Sequence, residues 1–164
     1  MRLSRDQMIE ASWVVPSTVI PAVMLVLIVY ATFAVGVHVP GHEQTIDPKL
    51  VAQTAPFTNP GVFDRGGGNF EVVMIGQTWS FNPNEIRVPV GSRVTFTTTS
   101  QDVIHGLRVE KTNVNMMLIP GQIGRATAHF TQPGTYLLVC HEYCGVSPVP
   151  TLGHQAMYGK VVVE

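Results

Sequence analysis

The chain has 164 residues, room for one globular domain and little more. It is 45% hydrophobic and 13% charged, with a net charge of −1, and no basic cluster offers a nucleic-acid footprint. The mean hydropathy of +0.22 is high for a soluble domain, and the apolar excess is concentrated near the N-terminus.

Between Ala11 and Val37 there is no charged residue, and Val19–Val37 is almost wholly aliphatic, aromatic or small. A helix rises about 1.5 Å per residue, so about 20 such residues cross the hydrocarbon layer. Residues 11–38 are therefore expected to form a transmembrane anchor behind a short N-terminus, residues 1–10. A cleaved signal peptide is the rival reading, but its apolar region usually runs only about 7–15 residues. Pro16 and Pro21 are tolerable near the start of a membrane helix. Arg2 and Arg5 precede the span, and the first Lys or Arg beyond it is Lys49. That bias predicts a cytoplasmic N-terminus and an outward-facing remainder. Trp13 suits the interfacial belt at the cytoplasmic end, with His38 and His42 at the opposite interface.

Residues 39–69 read as a linker, rich in proline and glycine and ending in Gly66-Gly67-Gly68. From Phe70 the texture changes to short β-type runs. Strands are expected over 70–75, 85–89, 93–99, 105–109, 125–130, 135–140 and 158–163. Turns fall at Asn82-Pro83-Asn84, Pro120-Gly121 and Pro133-Gly134. Seven or eight strands in about 95 residues is the spacing of an all-β sandwich, and no window there has helical periodicity. The expected fold is an all-β domain over 70–164 with one N-terminal membrane helix.

The chemistry is concentrated in Cys140-His-Glu-Tyr-Cys144 and Gly153-His154-Gln-Ala-Met157, on the loop between the last two strands. Two thiolates, an imidazole and a thioether form a soft donor set that suits copper far better than calcium or magnesium. His105, in Asp102-Val-Ile-His105-Gly, supplies a second imidazole from a loop that a sandwich can bring alongside. Zinc is the runner-up, although it does not need the thioether. A mononuclear blue-copper site uses a single cysteine, so the second thiolate is one too many for it. A disulfide is the plain alternative in an oxidising compartment. No nucleophile triad, phosphate loop or carboxylate pair is present, and the chain alone is expected to turn over nothing. His129 reads as a surface histidine, and Met116 and Met117 as loop or core residues.

Asp102-Val-Ile-His105-Gly, Cys140-x-Glu142-x-Cys144-Gly145, His154-x-x-Met157 and Gly134-Thr-Tyr136 together resemble subunit II of the haem–copper oxidase superfamily. The single anchor and the Asn82-Pro83-Asn84 turn before Val-Pro-Val-Gly resemble its compact B-type members. The resemblance covers residues 70–164 and implies a cupredoxin-like Greek-key sandwich with a binuclear copper centre, CuA. It implies that Cys140 and Cys144 bridge two coppers, and that His105 and His154 each cap one. Met157 and the carbonyl of Glu142 would be the weak axial ligands. The Glu142 side chain would reach a magnesium ion at the contact with subunit I. Trp79 falls where relatives place the electron-entry aromatic, and Asp102 would orient His105 by a hydrogen bond. The sequence departs from the family at one place. Relatives have three residues between the second cysteine and the histidine, and here Gly145–Gly153 makes nine. The extra residues are expected to bulge outward, because loop length costs little entropy. His141 is the substitute ligand if they do not, though strand alternation points it away.

The resemblance implies an electron-entry subunit of a membrane respiratory oxidoreductase. A c-type cytochrome or small copper protein would donate, and haem in subunit I would accept for oxygen reduction. The same role in a nitric oxide reductase is the alternative, decided by residues of subunit I. An anchored copper chaperone would instead need an exposed, exchangeable site. Nitrous oxide reductases carry such a domain on a much larger chain, and quinol-oxidase relatives lack the cysteines.

Overall fold

The computed structural model describes residues 4–34, 45–149 and 151–164. The chain divides into two compact units, Met1–Val39 and Pro40–Glu164.

The first unit is one helix, α1 (Arg5–Ala34), 30 residues long and without a buried residue. Ser4 and Gln7 begin it with a reciprocal cap, in which Gln7 N–H donates to Ser4 Oγ at 3.3 Å and Ser4 N–H to Gln7 Oε1 at 2.8 Å. Inside it, the hydroxyls of Ser17 and Thr18 turn back onto the Val14 carbonyl at 3.0 and 2.9 Å, so neither is left bare in an apolar setting. At about 1.5 Å per residue the helix is longer than the hydrocarbon core, and its length and composition suffice to cross a membrane. It begins before the expected span, and residues 35–38, with His38 and His42, lie outside the described residues.

The second unit is a sandwich of two five-stranded sheets. The first joins β1 (Gly61–Asp64), β2 (Asn69–Gln77), β5 (Ser92–Ser100) and β8 (Gly124–Phe130), with β3 (Ser80–Asn82) also on β2. The second runs β4 (Glu85–Val88), β10 (Tyr158–Val163), β9 (Gly134–Val139), β6 (His105–Val109) and β7 (Asn115–Leu118). The β2–β5 and β4–β10 pairs are parallel and the rest antiparallel. Strand alternation sends Val72, Met74, Val94, Phe96, Ala128 and Phe130 inward, against Leu107, Val109, Leu138, Val161 and Val163 of the other sheet.

All the expected strands form, within a residue or two at their ends. β1, β3 and β7 were not expected, because each has only three or four residues and too little alternation to read. The expected linker over 39–69 is largely part of the domain. Its described part holds a 3₁₀ turn (Pro48–Gln53) and β1. The physical reason lies in β2, where Val73 and Ile75 face away from the main core yet are buried. Ile46, Val51 and Phe57 cover them together with Ile123, forming a second apolar cluster outside the first sheet. Ile46 N–H bonds to the Gly121 carbonyl at 3.1 Å and fastens the start of this cover.

Candidate metal centre

The β9–β10 ladder continues one step past its last paired residues. Cys140 N–H donates to the Met157 carbonyl at 3.1 Å, which sets these residues side by side at one end of the sandwich. The chain between them returns close enough for Cys144 Sγ to lie 3.8 Å from Cys140 Sγ. Cys144 Sγ is also 3.7 Å from Met157 Sδ and 3.6 Å from His154 Nδ1. The Glu142 carbonyl stands 3.2 Å from Cys140 Sγ. Both cysteines are free thiols and both are buried.

His105 enters from the start of β6. Its ligand nitrogen and the two cysteine sulfurs lie within 4.8 Å of one another. The ring is fully buried, and its Nε2 pairs with Asp102 Oδ1 at 2.8 Å. Asp102 is fixed in turn, since its Oδ2 accepts the Thr78 N–H at 2.7 Å and the Thr78 hydroxyl at 2.8 Å. With Nε2 engaged, Nδ1 is turned to the sulfurs. It is the one buried side-chain polar atom among the described residues that has no hydrogen-bond partner.

The electrostatics match a site built for cations. Burial works against ionising Cys140, yet the His105 ring and the backbone N–H of Gly106 bring its thiol down to about 7. Burial and the neighbouring Cys140 thiolate push Cys144 up to about 12. Two thiolates this close do not both form unless positive charge is placed beside them. Burial pushes the Asp102 carboxyl upward, but the bonds from His105 and Thr78 outweigh it and hold the group down to about 2. Burial pulls His105 down, and the sulfur of Cys140 and the carboxylate of Asp102 more than reverse it. An unpartnered imidazole nitrogen facing two thiols and a thioether is a donor set that fits a copper site.

Each residue anticipated for the site stands at this end of the fold. His154 reaches Cys144 despite the long segment before it. Gly145 and Gly153 close that segment at its base: His154 N–H donates to the Gly145 carbonyl at 3.0 Å, and Val146 pairs with Gly153. Trp79 is half-buried, and its indole N–H donates to the Cys144 carbonyl at 3.1 Å. His141, the substitute ligand, is exposed and lies against Gly106, where an added Cβ would come within 2.6 Å of its ring. His129 is exposed and bonds to the Gly91 carbonyl at 3.0 Å, a satisfied surface histidine. Met116 packs on Gly124 and Thr98 in the core.

Three contributors had no signal in the sequence. Thr78 anchors Asp102 across 24 residues. Gly76 leaves room for the His105 ring, whose Cδ2 would stand 3.2 Å from an added Cβ. Tyr143 covers His154, with ring centroids 5.9 Å apart.

A β-sandwich with a soft, buried donor set on the loop between its last two strands defines a cupredoxin-like metal domain. The family model for cytochrome c oxidase subunit II, periplasmic domain, matches residues 72–155. The chain belongs to the cytochrome c oxidase subunit II family. It is 36% identical over 159 residues to a cytochrome c oxidase subunit 2 of Thermus thermophilus, covering 94% of this chain and 91% of that one. A second Thermus thermophilus cytochrome c oxidase subunit 2 is 38% identical over 136 residues, 82% of this chain and 96% of the relative. Among solved structures, a chain of a heme-copper terminal oxidase dimer aligns at a TM-score of 0.76 and 34% identity, covering 94% of this chain and 99% of that one. The periplasmic domain of cytochrome oxidase subunit II from Bradyrhizobium japonicum shares the fold, at a TM-score of 0.50, 21% identity and coverage of 57% and 83%. The chain is thus subunit II of a heme-copper oxidase, part of an oxidoreductase complex in which a subunit I partner is expected. The N-terminal helix fits membrane anchoring of that subunit.

Proposed function

We propose that this chain is the electron-entry subunit of its oxidase, receiving single electrons at a binuclear copper centre and passing them to haem in subunit I. The observation that carries the reading is the pair of cysteine sulfurs 3.8 Å apart beside the orphaned Nδ1 of buried His105. Cys140 and Cys144 would hold both ions as shared thiolates. His105 and His154 would each cap one, with Met157 and the Glu142 carbonyl as weak ligands. When bound, the copper pair supplies a one-electron acceptor whose charge is spread over two metals.

The residues around it keep that cage still. Asp102 holds His105 by its far nitrogen, which fixes the ring's orientation and raises its basicity as a ligand. Core packing on Met157 and Cys140 excludes water. Trp79, bonded to the backbone of Cys144, offers the donor a route of contact to a bridging residue. The Glu142 carboxylate would hold magnesium at the face toward subunit I. The N-terminus would stay in the cytoplasm and the copper domain would face outward, where a c-type cytochrome or small copper protein donates.

The test is metal content and the electron paramagnetic resonance spectrum of the purified oxidase and its Cys144→Ser variant. Two coppers per chain with a signal shared over both nuclei, lost on Cys144→Ser, are expected in this subunit. One copper, or an unchanged pair in the variant, overturns the assignment.

A further inference from the structure

We infer that Thr78 is a positioning residue that ties the Trp79 indole to the His105 ring through Asp102, so that the proposed entry aromatic and one ligand are held as a single unit. The inference rests on the copper-centre reading above and adds the side chain that joins two of its working groups.

Thr78 and Trp79 are the two residues of the tight turn between β2 and β3, and the flanking Gln77 and Ser80 pair across it. A two-residue hairpin loop has its backbone set by turn geometry, whereas its side chains depend on outside partners. Each finds one on a different loop. The half-buried Trp79 indole donates to the Cys144 carbonyl at 3.1 Å, on the loop between β9 and β10. Thr78 reaches the loop between β5 and β6, where its N–H and its hydroxyl donate to the same oxygen, Asp102 Oδ2, at 2.7 and 2.8 Å.

The other oxygen of Asp102 is occupied as well. Oδ1 accepts the Val103 N–H at 2.7 Å and pairs with His105 Nε2 at 2.8 Å. A carboxylate has about four lone-pair sites, so four donors leave it no free position and no easy rotation. Because an ionised carboxylate only accepts, Nε2 carries the proton and Nδ1 offers its lone pair to the sulfurs. The aim of His105 is thus set by a carboxylate whose second oxygen is held by Thr78. The contacts close a ring that runs from Cys144 through Trp79, Thr78, Asp102 and His105 and returns to Cys144 across the metal cage. Of the two donors on Thr78, the N–H belongs to almost any residue. The hydroxyl does not, so the tie depends on which side chain stands at 78. Thr78 is exposed, so exchanging its hydroxyl for a methyl leaves the core packing in place.

The experiment uses the full chain in detergent carrying Trp13→Phe, which leaves Trp79 as its one tryptophan. In that background Thr78→Val, Thr78→Ser, Asp102→Ala and Thr78→Val/Asp102→Ala are compared with the parent. The first readout is copper affinity in competition with a chelator. Thr78→Val should weaken it about 3- to 10-fold, the worth of one hydrogen bond, and Thr78→Ser should keep the parent value. Once Asp102→Ala is present, adding Thr78→Val should change affinity by less than about 2-fold, because the hydroxyl then has nothing to hold. The second readout needs no metal. Trp79 emission of the copper-free chain should shift to the red in Thr78→Val and also in Asp102→Ala, since either change frees the turn, and should stay in place in Thr78→Ser. Parent-like affinity in Thr78→Val, additive losses in the double variant, loss of affinity in Thr78→Ser, or an emission that ignores Asp102→Ala would each overturn the inference. A parent chain that takes up fewer than two coppers would instead overturn the copper-centre reading, and the metal-free emission would still decide the tie.

Discussion

Gly76→Ala separates the packing of the sandwich from the positioning of His105. Gly76 lies near the end of β2, with Leu118 and His105 stacked on it. An added Cβ would stand 2.9 Å from Leu118 Cδ2 and 3.2 Å from His105 Cδ2. Leu118 is 1% exposed and His105 is fully buried, so both are closely enclosed. Overpacking of this kind costs about 1–3 kcal/mol in a close-packed interior. Leu118 has rotamers to try. The His105 ring is held from behind by Asp102 at 2.8 Å and can yield only by tilting, which re-aims Nδ1. Misdirecting one ligand in this way lowers metal affinity roughly 10–100-fold, by analogy with losing a ligand's orienting partner. That adds about 1.4–2.7 kcal/mol in the copper-loaded state alone. The assay is urea unfolding of the soluble domain, residues 45–164, with and without copper, for wild type, Gly76→Ala and Gly76→Ala/Leu118→Val. The loaded protein should lose more than the metal-free protein, and trimming Leu118 should recover the metal-free loss while leaving the copper-specific part. Equal losses in the two states would refute the claim that Gly76 positions His105.

Three further outcomes follow from other parts of the domain. A soluble form beginning at residue 68 removes β1, Ile46, Val51 and Phe57 and uncovers Val73 and Ile75. At about 1.5–3 kcal/mol per buried side chain, the loss rivals the whole stability of a domain, and size-exclusion chromatography should find it aggregated where the form from residue 45 is monomeric. Asp102→Asn should keep copper stoichiometry at saturation but weaken binding roughly 10–100-fold in competition with a chelator; unchanged affinity would dismiss its orienting role. Glu71 is pulled upward by burial, but hydrogen bonds from Arg65 at 2.7 Å and Thr97 at 2.8 Å win and hold its carboxyl below the usual carboxylate range. A depressed folded-state pKa stabilises above the unfolded value and is lost as pH falls through the folded one. Urea midpoints should thus drop more between pH 5 and about pH 3 in wild type than in Glu71→Gln, and parallel drops would refute the pairing.

Much of this molecule was legible because its chemistry uses rare residue types. Two cysteines, a Met three residues after a His, and a His beside an Asp narrow the options before any fold is known. The sandwich was legible from alternation in β5, β8 and β10. The cover over the first sheet was not, because residues 45–64 scatter their apolar side chains among prolines with no period. A signal for it did exist in the unbroken run Val72-Val73-Met74-Ile75, since a strand apolar on both faces must be covered on both. The Trp79–Cys144 bond spans 65 residues and joins an indole to a backbone carbonyl. No local pattern encodes such a contact, since any residue at 144 supplies the same acceptor.

The long segment before His154 shows how spacing and geometry come apart. Counting residues from Cys144 places His154 too far along the chain for a compact ligand loop. In the fold, the distance that matters is from Gly145 to Gly153, and the His154 N–H to Gly145 carbonyl bond of 3.0 Å sets it. Stretching a loop from three residues to nine costs only about 1 kcal/mol of closure entropy. A net backbone hydrogen bond returns about 0.5–1.5 kcal/mol, so the closed base is enough to balance the insertion. Ligand register is then a property of two glycines able to hold positive φ. Replacing Gly153, whose φ of 122° a side-chain-bearing residue rarely adopts, should therefore disturb the metal centre more than shortening the segment between the glycines.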